Sequence, residues 1–331
     1  MEIKFLKAGT GDSILIHHSA HNILVDGGND SKYLLREVDA IHARGEVIDL
    51  LVITHHDDDH IKGIIDLLKL VVEGHYGEPK KFIKKVIFNS PRLILEKLPA
   101  QKDRLLSYKQ AHAVEELLIK ISPDWEKCTD QSESIEFGDL KIDFLSPNNS
   151  SIEKYSEHKN VYLTSDYRCD WNTSMYVLEK YLTDESQDKS IPNMSSVVLS
   201  LECNNKKVLL TGDVTPNRLE PILSNLVEKN EGNPISFDYI KLPHHASYRS
   251  LNDKIIKNVK CLNYVISTNS KKYFLPNKRA LLKILKNKNR EQINFLFNYE
   301  EALNNLKISS KEMKDYNFKL TPNNNDYGIS I

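Results

Sequence analysis

Cysteine is scarce in this sequence, and long apolar runs are missing. Cys128, Cys169, Cys203 and Cys261 stand 41, 34 and 58 residues apart, with no Cys-x-x-Cys pair. They read as reduced, mainly buried thiols of a cytoplasmic protein. The longest apolar stretches, such as Ile48–Thr54, are of strand length, far below the ~20 residues of a membrane-spanning helix, so no membrane role is expected. The opening MEIKFLKAG has no basic stretch leading into an apolar core, so no secretory signal is expected. No long segment pairs low hydrophobicity with an excess of one charge, which argues against general disorder. The 331 residues, 40% apolar and 27% charged, suffice for a sizeable core, and the reading is a single domain over 1–331.

Charge is balanced overall but not along the chain. Residues 241–331 carry 17 Lys/Arg against 7 Asp/Glu, and residues 1–240 carry 28 against 39. A basic C-terminal part points to a polyanionic partner, or else to a lysine-rich solvated surface. Short β-branched runs (14–17, 23–26, 50–54, 85–89, 141–145, 197–203, 208–211, 239–242, 264–268, 293–297) alternate with helical patterns over 33–43, 61–72, 105–121, 218–229 and 278–289. That order predicts an α/β protein whose sheets are covered by helices. Residues 147–192 break the rhythm. They are polar and aromatic (Tyr155, His158, Tyr162, Tyr167, Trp171, Tyr176 and Tyr181), with one expected helix over Thr173–Leu182. They read as an insertion that serves as a lid or an interface, its aromatic residues packed out of water.

The chemistry concentrates in Thr54-His-His-Asp-Asp-Asp-His60, at a strand-to-helix turn. Three imidazoles and three carboxylates in six residues repel one another unless a cation is bound. The alternative is an acidic loop capping the next helix. Leu209-Leu-Thr-Gly-Asp213 and Leu242-Pro-His-His-Ala-Ser247 end two further strands on ligand-type side chains. His with carboxylate suits zinc first and manganese second.

These residues carry a resemblance. His55-x-Asp57-x-Asp59-His60 with Gly63, Val25-Asp-Gly-Gly28 and Leu210-Thr-Gly-Asp213 resemble the signature of the metallo-β-lactamase fold. Within it, Gly9-Thr-Gly-Asp12-Ser-Ile-Leu-Ile16, Asn193-Met-Ser-Ser196, His244–Ser247 and Ile266-Ser-Thr-Asn269 through Pro276 resemble the hydrolase domain of ComEC-type DNA-uptake proteins. The resemblance spans about residues 3–297 without the insertion. It implies a four-layer αββα sandwich and two divalent ions, zinc or manganese. His55 and Asp57 would bind the first, with Asn193 or Ser195 near its third position. Asp59, His60 and His244 would bind the second, with His245 as the alternative to its neighbour. Asp213 would bridge, and Asp59 and Asp213 would hold the water activated between the ions. Asp12 and Asp26 would orient ligand imidazoles from behind. Three departures stand out: Asp57 replaces the histidine usual in the superfamily, the third-site histidine of the lactamase type is absent near Asn193, and Leu275 precedes Pro276 where the ComEC-type branch carries histidine.

The function implied is a cytoplasmic metal-dependent hydrolase of phosphodiesters, a nuclease or phosphodiesterase acting on nucleic acid or nucleotides. The alternatives are a non-catalytic or partner-dependent subunit, for example in a phage-defence cluster beside a neighbouring gene's product, or a hydrolase of lactones, thioesters or β-lactams. Arg279, Lys283, Lys286 and Arg290 recur at spacings of four, three and four, on one helical face. With Lys271 and Lys272 they are expected to form a substrate-binding, phosphate-tracking surface.

Overall fold

Runs of Ile, Val and Leu set the layers of this fold, because strands buried on both faces need apolar residues at every position. The computed structural model describes residues 1–94, 109–157, 169–183, 186–288 and 291–331. Its strands are β1 (Glu2–Leu6), β2 (Ile14–His18), β3 (His21–Val25), β4 (Ile48–Ile53), β5 (Ile83–Phe88), β6 (Asp124–Glu126), β7 (Ile135–Phe137), β8 (Leu140–Ser146), β9 (Val198–Cys203), β10 (Lys206–Leu210), β11 (Ile235–Ser236), β12 (Tyr239–Lys241), β13 (Val259–Lys260), β14 (Asn263–Ile266), β15 (Ile293–Phe297), β16 (Phe318–Thr321) and β17 (Gly328–Ser330). One sheet runs β17-β1-β2-β3-β4-β5-β6 and the other β16-β15-β14-β12-β10-β9-β8-β7, while β11 and β13 form a separate ribbon. The longer helices are α1 (Lys32–Ala43), α2 (Asp58–Val72), α3 (Lys109–Ile121), α4 (Pro216–Lys229) and α5 (Lys278–Asn287).

Three apolar layers hold these elements together. In β4, Leu50 and Val52 face the second sheet, where Leu199, Leu201, Val208 and Leu210 meet them. Leu51 and Ile53 point the other way, onto Leu34 and Val38 of α1, Ile64 and Leu67 of α2 and Val114 of α3. The outer face of the second sheet packs Leu209, Ile240 and Phe295 against Leu219 of α4 and Leu281 and Ile284 of α5. The period-two alternation of each strand therefore feeds two cores, and the result is a four-layer αββα sandwich. β3 and β4 run parallel, as do β10, β12 and β14. Their C-terminal ends supply the chemistry-bearing turns.

The insertion departs from expectation in detail. The helix expected over Thr173–Leu182 is a single turn, Met175–Leu178, followed by a 3₁₀ turn at Glu179–Tyr181. Trp171 donates its indole N–H to the carbonyl of Pro276 at 2.8 Å, but Tyr176 and Tyr181 are exposed, because their hydroxyls make them tolerable in water. His158, Tyr162, Tyr167, Arg290 and the first residues of the helix expected over 105–121 lie outside the described residues.

Candidate metal centre

The first turn after β4 is built to point side chains outward from the sheet end. Asp57 sits at the N-cap of α2 with extended backbone, yet its side chain makes no capping bond. Its Oδ2 lies 3.7 Å from His55 Nε2 instead, which disfavours the helix-capping reading of the acidic cluster. Close backbone packing fixes the turn. A Cβ on Gly63 would meet Gly27 O at 2.0 Å, and one on Gly11 would meet Asp59 O at 1.7 Å. Only glycine permits either approach. Gly27 N–H donates to His60 O at 2.8 Å, tying the Asp26–Gly28 turn to the start of α2.

Four imidazoles are held by one nitrogen and show the other to a common point. His60 Nδ1 lies 2.8 Å from Asp26 Oδ2. Asp26 also accepts the backbone N–H of Thr54 at 2.8 Å and its hydroxyl at 2.6 Å, and Thr54 Oγ1 lies 3.0 Å from His55 Nδ1. His245 Nδ1 lies 2.9 Å from Ser267 O, and His244 Nδ1 lies 3.1 Å from Asp188 Oδ2. Each partner accepts a proton from Nδ1, which assigns the bare lone pair to Nε2. Nε2 of His60, His245 and His244 then approaches the Asp213 carboxylate at 3.4, 3.5 and 3.9 Å. His55, His60 and Asp213 form one potential ligand group, and Asp59, His60 and His245 form another. His55 Nε2, His60 Nε2, His245 Nε2 and Asp213 Oδ1 are buried with no hydrogen-bond partner. Buried polar atoms are seldom orphaned, so the donor set fits divalent cations.

The structure separates the two adjacent histidines. His245 Nε2 lies 3.6 Å from Asp59 Oδ2, whereas His244 turns toward Asp188 and Asn193. Of the two histidines weighed for the place beside Asp59 and His60, His245 is the one that stands there. Both histidines have left-handed backbone, with φ of 46° and 53°, and this turns the two rings edge to face with centroids 5.9 Å apart. Asn193 uses its amide N–H₂ on Asp188 Oδ2 at 2.8 Å, and the Ser195 hydroxyl donates to Pro192 O at 2.7 Å. Ser196 accepts the backbone N–H of Asp213 at 3.2 Å.

Asp12 does not touch a ring nitrogen closely. Its Oδ2 pairs with Lys241 Nζ at 2.5 Å, and its Oδ1 stands 3.7 Å from His245 Nδ1. Lys241 is fully buried and also donates to Gly212 O at 3.1 Å. Sequence reading missed Lys241, Asp188, Ser267 and Thr54. Lys241 is hidden as one residue of a strand, and Asp188 lies in a stretch with no motif.

In the ion-free protein, protons take the place of metal charge. Burial lowers His60, and the carboxylates of Asp213 and Asp26 outweigh it, holding its imidazolium well above the usual range. Burial likewise opposes His244, yet Asp213 and Asp188 raise it to about 9. For Asp213, burial acts upward and the facing imidazoles of His245 and His60 carry it well below the carboxylate range. A raised imidazole stabilises the ion-free fold fully below its unfolded value of ~6.5, and that contribution is lost as pH climbs through about 9 for His244. Ions must displace those protons. Apparent metal affinity is therefore expected to rise between about pH 6.5 and 9 while the ion-free melting temperature falls. Calorimetric metal titration and thermal melts across that range check both signs.

The basic helical face is also corrected. Arg279 and Lys283 are buried. Arg279 Nε stands 3.7 Å from Asp170 Oδ2, and its guanidinium lies over the Tyr248 ring. Lys283 donates to Leu251 O at 2.9 Å. Lys286 pairs with Glu179 at 2.5 Å. Among the described residues of 241–331, Lys241, Lys278, Arg279, Lys283 and Lys288 are all buried, so part of the positive excess satisfies internal carbonyls and carboxylates. Lys271 and Lys272 are exposed on the loop after β14.

Residues 6–84 match the model of the metallo-beta-lactamase superfamily, a stretch that carries Asp12, Asp26 and the 55–60 cluster. No curated protein matches the chain. Solved structures similar to it include the metallo-beta-lactamase fold protein YhfI from Bacillus subtilis, at 10% identity and TM-score 0.47 over 100% of this chain and 98% of that one. They also include Zn(2+)-bound PqqB from Methylobacterium extorquens, at 9% identity and TM-score 0.43 over 100% and 99%. A diphosphatase from the PhnP family matches at 13% identity and TM-score 0.41 over 100% and 96%. The αββα sandwich with ligand-type side chains at its strand ends is the metallo-β-lactamase fold. Among the described residues no helix is long and apolar enough to cross a membrane.

Proposed function

We propose that this chain is a cytoplasmic metal-dependent hydrolase that cleaves phosphodiesters in nucleic acid or nucleotides. The observation that carries this reading is the convergence of bare imidazole nitrogens on Asp213, whose buried Oδ1 has no hydrogen-bond partner. His55 and Asp57 would hold one divalent ion, Asp59, His60 and His245 the other, and Asp213 would bridge them. Bound there, a pair of zinc or manganese ions supplies Lewis-acid charge for both the attacking and the leaving oxygen of an in-line displacement. The protein's own contribution is orientation. Asp26 holds the His60 ring, Ser267 O the His245 ring, and Ser196 the backbone of Asp213. Lys241 neutralises Asp12 beside Asp213, so the carboxylate excess is left for the ions.

Two features favour phosphoryl over acyl substrates. Asp57 stands where an imidazole is usual, making the first site richer in oxygen and suited to harder ions. Exposed Lys271 and Lys272 lie on the loop after β14, whose Ser267 carbonyl holds His245, and provide charge for phosphate. The resemblance of the later motifs to the ComEC-type branch supports the same substrate class. The insertion over 147–192 borders the site through Asp188 and is read as a lid or an interface. The test is hydrolysis of bis(p-nitrophenyl) phosphate, cyclic nucleotides, single-stranded DNA and RNA by protein loaded with Mn²⁺ or Zn²⁺. Metal-dependent cleavage of a phosphodiester supports the proposal, and cleavage of lactones or thioesters alone overturns it.

A second reading rests on Leu275. It is 2% exposed and buried beside Pro276, where a histidine would offer a titrating group. A partner-dependent or non-catalytic subunit would bind the ions and leave every substrate intact until the neighbouring gene's product is added.

A further inference from the structure

Assigning His245 to the site of Asp59 and His60 leaves His244 without a role, although the fold invests in its placement. His244, His245 and Ala246 all adopt left-handed backbone, with φ of 46°, 53° and 63°. Non-glycine residues reach that region at about 1–2 kcal/mol each, and runs of three are retained where a site requires them. The turn sets His244 and His245 at an interplanar angle of 89°, so that Nε2 of each faces Asp213 Oδ2.

Behind His244 stands Asp188, 1% exposed and fixed on all sides. Its backbone N–H donates to Arg249 O at 2.9 Å. Its Oδ1 accepts Ser190 N–H at 2.9 Å, and its Oδ2 accepts both Asn193 Nδ2 at 2.8 Å and His244 Nδ1 at 3.1 Å. A carboxylate on one ring nitrogen fixes the tautomer, raises the basicity of the other nitrogen and orients it, as ligand histidines commonly require. Position 193 has no imidazole to offer the first site, and the Ser195 hydroxyl is committed to Pro192 O.

We propose that His244, oriented by Asp188, is a metal ligand of the first site, joining His55, Asp57 and Asp213 in place of a histidine at 193. This rests on the two-ion reading above. Asp188 belongs to the 147–192 insertion, so the insertion becomes part of the metal site and more than a cover. Asp188 is a positioning residue, acting only through His244.

The test is Mn²⁺ binding by equilibrium dialysis with elemental analysis and by calorimetric titration, on the full chain and its variants. His244→Asn suits the left-handed backbone and cannot reach Asp213, with His244→Gln as the second choice if the first melts abnormally. Wild type is expected to take up two ions. His244→Asn should keep the tighter ion and lose at least about 10-fold in affinity for the other. Asp188→Asn should weaken that same ion by about 10–100-fold. The double variant should bind no worse than His244→Asn alone. Two ions bound with unchanged affinity in His244→Asn overturn the proposal, including when turnover is lost, and so does an Asp188→Asn effect that persists without His244. A wild type that binds no ion overturns the two-ion reading itself, a different result from two ions with His244 indifferent.

Discussion

Asp213→Asn is expected to leave the chain with less than one ion where wild type is expected to take up two, and to remove the stabilisation that bound ions would confer. Asp213 is approached by three imidazoles, and its Oδ1 is buried without a hydrogen-bond partner. A shared ligand serves both ions, so its loss is felt at both. An ion present at ~1,000 times its Kd adds about 4 kcal/mol to the folded state, roughly 6 °C in Tm for a chain of this length at ~2.1 cal/mol/K per residue. EDTA should therefore lower the wild-type Tm by several degrees and leave that of Asp213→Asn nearly unchanged. Elemental analysis beside scanning calorimetry reads both effects. Full metal content in the variant would end the bridging assignment.

The second large effect lies away from the ions. Replacing Arg279 and Lys283 together by Gln is expected to cost about 4–5 kcal/mol, lowering Tm by roughly 6 °C. Arg279 faces Asp170, which also accepts the backbone N–H of Lys278 and Arg279 at 2.9 and 3.0 Å. That support keeps Asp170 from being stranded and holds the cost below that of breaking two isolated buried pairs. Lys283 leaves Leu251 O without its 2.9 Å donor and the Tyr248 ring without the cation 3.7 Å from its centroid. Had these residues formed a phosphate-tracking surface, the same change would have weakened nucleic-acid binding and spared stability. Thermal melts and salt-dependent binding of single-stranded DNA separate the two outcomes. Lys271→Gln with Lys272→Gln, on the exposed loop, should show the opposite pattern.

The contrast between these two regions shows what could be read from the chain alone. Ligand-type residues at strand ends were legible because imidazole and carboxylate side by side have few other reasons to occur at a turn. The strand runs were legible because β4 and β15 are apolar at all but one position each. The partners that aim the ligands were not. Asp188 reaches His244 across 56 residues and Ser267 reaches His245 across 22, and nothing local marks either. The choice between His244 and His245 depends on backbone that turns left-handed at both residues, which non-glycine sequence does not advertise. The basic face of α5 misled for a related reason. Its spacing is amphipathic, but the cations meet an aromatic ring and backbone carbonyls and are buried by them.

Turnover against metal equivalents tests the central claim most directly. Ion-free protein at a concentration well above its metal Kd is titrated with Mn²⁺ while hydrolysis of bis(p-nitrophenyl) phosphate is followed. The account predicts activity that grows to a break at two ions per chain. A break at one ion, or no hydrolysis at any ratio of a chain that has bound two, would contradict it.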